Sequence, residues 1–246
     1  MFLIRTLYIR GYNEIKLIFN NPIADHHRLG KKVKIISEIH TEVNRLTGIE
    51  VIQQRENFCL LKVLSESSIK DFELILRRIF LLIKDASNDL IKGAVKSDKY
   101  LVESIEEKHN TITKFIANIL RMLNKGVYPN SKDTPIMYHI IETLDNINDI
   151  LKESAREIVN SDVKVSKDCE GVLININTSL EDYYKLFYQF DFKLVEKLSS
   201  ERYNILENIK NLSKKLNKDE IRILISMERV VEEILDLKVV SMALKY

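Results

Sequence analysis

From Ser65 to Tyr246 the chain offers almost nothing that would stop a helix, and this limits its fold more than any other feature. The full sequence of 246 residues has only 6 Gly and 3 Pro. A turn-dense β fold needs far more of both, because Gly and Pro supply the backbone angles of tight turns. Apolar residues recur at three- and four-residue spacings through the stretch, the period of an amphipathic helix. A mainly α fold is therefore expected.

The stretch divides into six helices. Ser65-Glu-Ser-Ser68 caps a first helix running to about Val95, and Ser97-Asp98 caps a second that ends near Gly126. Tyr128 to Thr134 reads as a loop, and Pro135 suits the first turn of a third helix reaching about Asn160. A polar break from Ser161 to Gly171 precedes helices at about Val172–Gln189, Phe192–Leu216 and Lys218–Lys245. The second trio echoes the first. Asp98-Lys-Tyr-Leu-Val-Glu103, with Ile105 and Ile112, parallels Asp191-Phe-Lys-Leu-Val-Glu196, with Leu198 and Ile205, at a constant offset. The closing helices match as well, through Leu144-Asp-Asn-Ile-Asn-Asp149 and Met227-Glu-Arg-Val-Val-Glu232. Two pairs in the same order predict a duplicated three-helix unit, 65–160 and 171–246, within one helical domain over 65–246.

Residues 1–64 have another texture. After a short helix-like start, Gly11 punctuates the chain and Asn13 to Phe19 reads as a strand. Val33 to Leu46 reads as an amphipathic helix stopped at Gly48, and Gly48–Gln53 and Asn57–Val63 read as two strands around the polar turn Gln54-Arg-Glu56. The result is a small α/β unit whose sheet is too short to stand alone, so it is expected to pack on the helices or on a second chain.

Two tandem three-helix units, each closing with acids at i and i+4 in an apolar frame, resemble the PhoU phosphate-uptake regulators. Met227-Glu-Arg-Val-Val-Glu232 is similar to that family's closing-helix motif, and Leu144-Asp-Asn-Ile-Asn-Asp149 is a looser copy. Upstream, Leu7 to Lys16, Leu46 to Ile52 and Phe72 to Phe80 are similar to a mostly archaeal branch in which PhoU helices follow an AbrB-like region. The DNA-binding hairpin that opens that branch is expected to be lacking here. The resemblance implies a cytoplasmic regulator that passes phosphate status between a phosphate transporter, signalling proteins and transcription, with no catalytic turnover.

The acid pairs are the candidate metal sites. Carboxylates at i and i+4 share a helical face with Cβ atoms roughly 5–6 Å apart, close enough to bridge a metal ion. This singles out Asp145 with Asp149 and Glu228 with Glu232. The resemblance adds ligands from the second helix of each unit, where His109 and Glu106 offer nitrogen and oxygen suited to zinc or iron. The second unit departs from the pattern, because Arg202 stands where an acid is expected. A guanidinium has no lone pair to give a metal and is expected instead to pair with Glu228 or Glu232. Glu106-Glu-Lys-His109 is also a Glu-x-x-His, a spacing that di-iron bundles use twice and this chain uses once. Asp25-His-His27 reads as a surface loop, Arg77-Arg78 as a solvated helix edge, and the aromatic run from Tyr183 to Phe190 as core or interface.

Other classes are narrowed by charge and cysteine usage. Lys+Arg 38 against Asp+Glu 36 leaves +2, too little for a global field directed at nucleic acid or an acidic surface. Only His27 to Lys34 approaches a basic patch. Cys59 and Cys169 suit a reducing compartment and form no paired-ligand spacing. No glycine-rich phosphate cradle or nucleophile triad is visible. Three functions therefore stand: a protein-binding phosphate regulator, expected as a homodimer through the N-terminal sheet; a DNA-associated regulator using the N-terminal unit; and a metal-binding helical bundle.

Overall fold

In the computed structural model, which describes residues 2–26, 30–161 and 163–246, helices dominate and strands are confined to the first quarter of the chain. The elements run α1 (Phe2–Ile9), β1 (Glu14–Ile18), β2 (Ile23–His26), β3 (Lys31–Lys34), α2 (Ile35–Asn44), β4 (Ile49–Arg55), β5 (Phe58–Val63), α3 (Ile69–Lys96), α4 (Lys99–Asn124), α5 (Thr134–Ser161), α6 (Lys167–Tyr188), α7 (Phe192–Leu212) and α8 (Lys218–Ala243). The fold is two tandem three-helix bundles with a small N-terminal α/β unit, as the periodicity predicts. No helix among the described residues is long and apolar enough to cross a membrane.

Two compact units emerge. The first takes the chain up to Leu76 together with Thr113–Thr134. Its three-stranded antiparallel sheet has the order β1-β5-β4, and a bulge between Val51 and Gln53 interrupts the β4 ladder. One sheet face and the helices α1 and α2 enclose Ile4, Tyr8, Ile15, Ile39, Val43, Ile49 and Leu61, and Ala117 of α4 joins that core. Each such aliphatic side chain contributes about 1.5–3 kcal/mol on burial. Gly11 ends α1 at φ +100°, a left-handed turn that only glycine adopts freely. The turn directs the carbonyl of Tyr12 at Arg121, whose Nη1 donates to it at 2.9 Å and to the carbonyl of Tyr8 at 2.8 Å.

The second unit takes Arg77–Ile112 with Pro135–Tyr246. Buried Ile140, Leu144, Ile147, Leu151, Ala155 and Ile158 form the inward stripe of α5, at the three- and four-residue spacing read from the sequence. In the second trio α6, α7 and α8 pack pairwise. Tyr183 is fully buried, with its hydroxyl 3.0 Å from Ser241 Oγ and its ring 6.0 Å from Phe80.

Local differences from the sequence reading have identifiable causes. The segment Ile23–His26 pairs with Lys31–Lys34 as a separate hairpin, so Asp25 and His26 lie on a strand and not on a loop. Both strands are mostly exposed, which removes the apolar alternation that marks a strand. His27 lies outside the described residues. Helix α6 starts at Lys167, ahead of Val172, because Ser166 caps it by accepting from Cys169 N, and Glu220 accepts from Ser166 N at 2.7 Å. The β4–β5 turn is shorter than expected, since β4 runs on through Gln54 and Arg55.

Candidate functional site

The acid pairs sit on the closing helices α5 and α8, and the partners they meet decide their chemistry. On α5, Asp149 Oδ1 lies 2.8 Å from His109 Nε2 of α4 and 2.5 Å from Lys152 Nζ. The same ammonium is 3.0 Å from His109 Nε2. Burial by itself would raise the Asp149 carboxyl, but hydrogen bonds from Lys152 and His109 outweigh it and hold the group below the usual carboxylate range. His109 is 9% exposed, its carbonyl accepts from Asn148 Nδ2 at 3.3 Å, and its Nδ1 is buried with no hydrogen-bond partner among the described residues. Asp145 sits one turn before Asp149, half-buried.

Glu106 does not join this group. Its carboxylate is held by Arg156 through two bonds, Nε to Oε2 at 3.0 Å and Nη2 to Oε1 at 2.6 Å. Glu106 and Arg156 line a groove of about 490 Å³ together with Val102, Ala155 and Val159. In the second half, Arg202 of α7 meets Glu232 of α8 by the same two-point geometry, at 3.0 and 2.8 Å. Glu228, one turn earlier, carries a carboxyl raised by burial and by the charge of Glu232, with Arg202 opposing. The positive charge of Arg202 is also felt at Lys238, whose ammonium burial already pushes down and which donates to Ser199 Oγ at 2.5 Å.

This donor set does not fit a metal ion. Among the described residues no group of three or more His, Cys, Asp and Glu side chains converges on one point. Asp149, Glu106 and Glu232 each already face an ammonium or guanidinium, which would have to leave before a cation entered. The sites are better described as two cross-helix ion pairs, Glu106–Arg156 between α4 and α5 and Arg202–Glu232 between α7 and α8, together with an Asp149 that bonds His109 of α4 and pairs with Lys152 of its own helix. Lys152 and Arg156 are the residues that the sequence reading passed over, and their signal was present. They follow Asp145 and Asp149 at spacings of three and four, so they share the acid stripe of α5.

No family model and no curated protein sequence matches the chain. Solved structures do. The crystal structure of PhoU from Pseudomonas aeruginosa is similar at TM-score 0.60 and 15% identity, covering 72% of this chain and 96% of that one. The phosphate transport system regulatory protein PhoU from Streptococcus pneumoniae is similar at TM-score 0.58 and 13% identity, over 72% of this chain and 94% of its own. The helical architecture is therefore PhoU-like, and more than a quarter of this chain has no counterpart in either.

Proposed function

We propose that this chain is a PhoU-like regulator of phosphate uptake or phosphate signalling that acts in the cytoplasm through contacts with other proteins and not by turnover. The observation that carries the reading is the likeness of fold to two proteins named PhoU, each matched over nearly its whole length. The chemistry of the closing helices supports it. On these helices Asp149 is held by His109 and Lys152, and Glu232 by Arg202, contacts that tie neighbouring helices of a scaffold together. Deleting the gene in the source organism and measuring phosphate uptake in phosphate-replete medium tests this. Uptake is expected to escape repression and to be restored by the full chain; unchanged uptake overturns the reading.

A homodimer is part of the proposal, because the short sheet leaves β1 and β4 as open edges. Light scattering at micromolar concentration is expected to give twice the chain mass, and a clean monomer rejects it. A second reading, DNA association through the N-terminal unit, draws on the exposed Lys31, Lys32 and Lys34 of β3. It requires a salt-dependent gel shift that is lost when the three lysines are replaced by glutamine.

A further inference from the structure

The N-terminal unit contains a cleft that none of the preceding roles uses. It is about 330 Å³, open to solvent, and lined among others by Ser65, Glu66, Ser67, Asn118, Arg121 and Lys125. Much of that space is open solvent at its mouth; with Glu66 folded onto Lys125 the interior holds only about two waters, so an ion enters by displacing that carboxylate.

Arg121 is the unusual member. Only 5% exposed, it pairs directly with no carboxylate among the described residues. Nη1 donates to the carbonyls of Tyr8 and Tyr12, and Nη2 donates to Asn13 Oδ1. A guanidinium has five N–H donors, so Nε–H and one Nη2–H remain without an acceptor among the described residues. Nearby, Lys125 Nζ spends two of its three donors, on Glu66 Oε1 at 2.5 Å and on Asn13 Oδ1 at 3.0 Å. Ser67 Oγ accepts from Asn118 Nδ2 at 3.4 Å, and its own O–H has no acceptor among the described residues. Two cations thus face one carboxylate, and the unused capacity of Arg121 and Lys125 is all donor.

We propose that this cleft binds a small tetrahedral oxyanion of the phosphate class, with the Glu66 carboxylate as its internal competitor. Glu66 already behaves as the stand-in anion. The hydrogen bond and charge of Lys125, with Asn13 and Arg121 behind them, hold its carboxyl below the usual range. Its side chain is 67% exposed, so it can swing into water and leave Lys125 to an incoming ion. An oxyanion in its place accepts from Lys125, from the spare N–H groups of Arg121 and from the Ser67 hydroxyl, and gives the buried guanidinium a directly bonded anion in place of the more distant Glu66 charge. The site stands on these residues alone, so it holds or fails independently of the uptake experiment.

The test is calorimetric titration of the full chain with inorganic phosphate in low-salt chloride buffer, for the wild type, Glu66→Gln and Lys125→Gln. Adenosine 5′-monophosphate in a parallel arm separates a free ion from a phosphoryl group on a carrier. Saturable phosphate binding is expected, tightened about tenfold in Glu66→Gln and weakened about tenfold in Lys125→Gln, the size of one charge-assisted hydrogen bond. Tighter binding of the nucleotide with the same variant pattern keeps the site and makes the carried phosphoryl group its ligand. Absence of saturable binding in both wild type and Glu66→Gln, with helical circular dichroism intact, overturns the proposal. So does an affinity that neither substitution moves.

Discussion

The Arg202 guanidinium grips both oxygens of Glu232, Nε to Oε2 at 3.0 Å and Nη2 to Oε1 at 2.8 Å, across the α7–α8 seam. A planar fork on a planar carboxylate is the strongest form of this contact, and it fixes the register of two helices as well as their charge. It also sets a permanent cation against Glu232 whose charge is felt at Glu228, which opposes a metal shared by the two carboxylates.

Removing that cation is expected to change which ions the bundle accepts. Wild-type protein purified without chelator should carry well under one equivalent of zinc or iron by elemental analysis, and chelator should leave its melting temperature unchanged. Arg202→Ala uncovers two carboxylates one turn apart and should take up more zinc than wild type. Stoichiometric metal in the wild type, lost in Asp145→Ala/Asp149→Ala, would contradict the assignment.

Asp182 should govern part of the acid stability. It is 1% exposed, accepts from Lys185 at 2.7 Å and pairs with Lys197. Burial pushes its carboxyl up, yet the two lysines outweigh it and the group lies below its ordinary 3.8. A depressed carboxyl stabilises the fold at pH above its unfolded value and loses that stabilisation as pH falls through the folded value. Asp182→Asn is therefore expected to destabilise by about 1.5–3 kcal/mol at pH 7 in urea unfolding, and by progressively less as pH is lowered below 3.8. An effect that does not change with pH would assign the residue a packing role instead.

The α3–α4 joint gives a pair of opposite expectations. Ser97 sits at φ 55°, with Asp98 N bonded to Gly93 O at 2.9 Å in a helix-ending motif that favours glycine at this position. Ser97→Gly should stabilise by about 1 kcal/mol in thermal unfolding. Gly93→Ala should do the reverse despite its better helix propensity, because the new Cβ would lie 2.5 Å from Val102 Cγ2 and 3.2 Å from the Asp98 carbonyl.

The long helices were legible because each buries one continuous stripe, and the three- and four-residue spacing of Ile140 to Ile158 survives intact in the structure. The first-unit strands β1, β4 and β5 were legible for a related reason, since each shows apolar residues bounded by turn formers. The β2–β3 hairpin buries almost nothing, so no pattern marks it. At the acid pairs, sequence spacing showed which carboxylates share a face, but not that Lys152 and Arg156 turn toward α4 from that same face. A linear pattern records which residues are neighbours on one helix. It does not say which of several long side chains reaches a given partner, and only Arg202, at a position where an acid was expected, announced itself by its charge. Arg121 was invisible for the strongest version of this reason, since its partners Tyr8, Tyr12 and Asn13 lie more than a hundred residues earlier.

That separation has a consequence for synthesis on the ribosome. The first unit closes only when Thr113–Thr134 joins residues near the N-terminus, with Ala117 entering the core and Arg121 tying down the end of α1. Until those residues leave the exit tunnel, Ile4, Tyr8, Ile15 and Leu61 belong to an unfinished core in a chain already well advanced. At about 5–20 residues per second the wait lasts several seconds, long enough for a nascent-chain chaperone to bind. The part of the molecule made first thus waits for the middle of the chain before its own core can close.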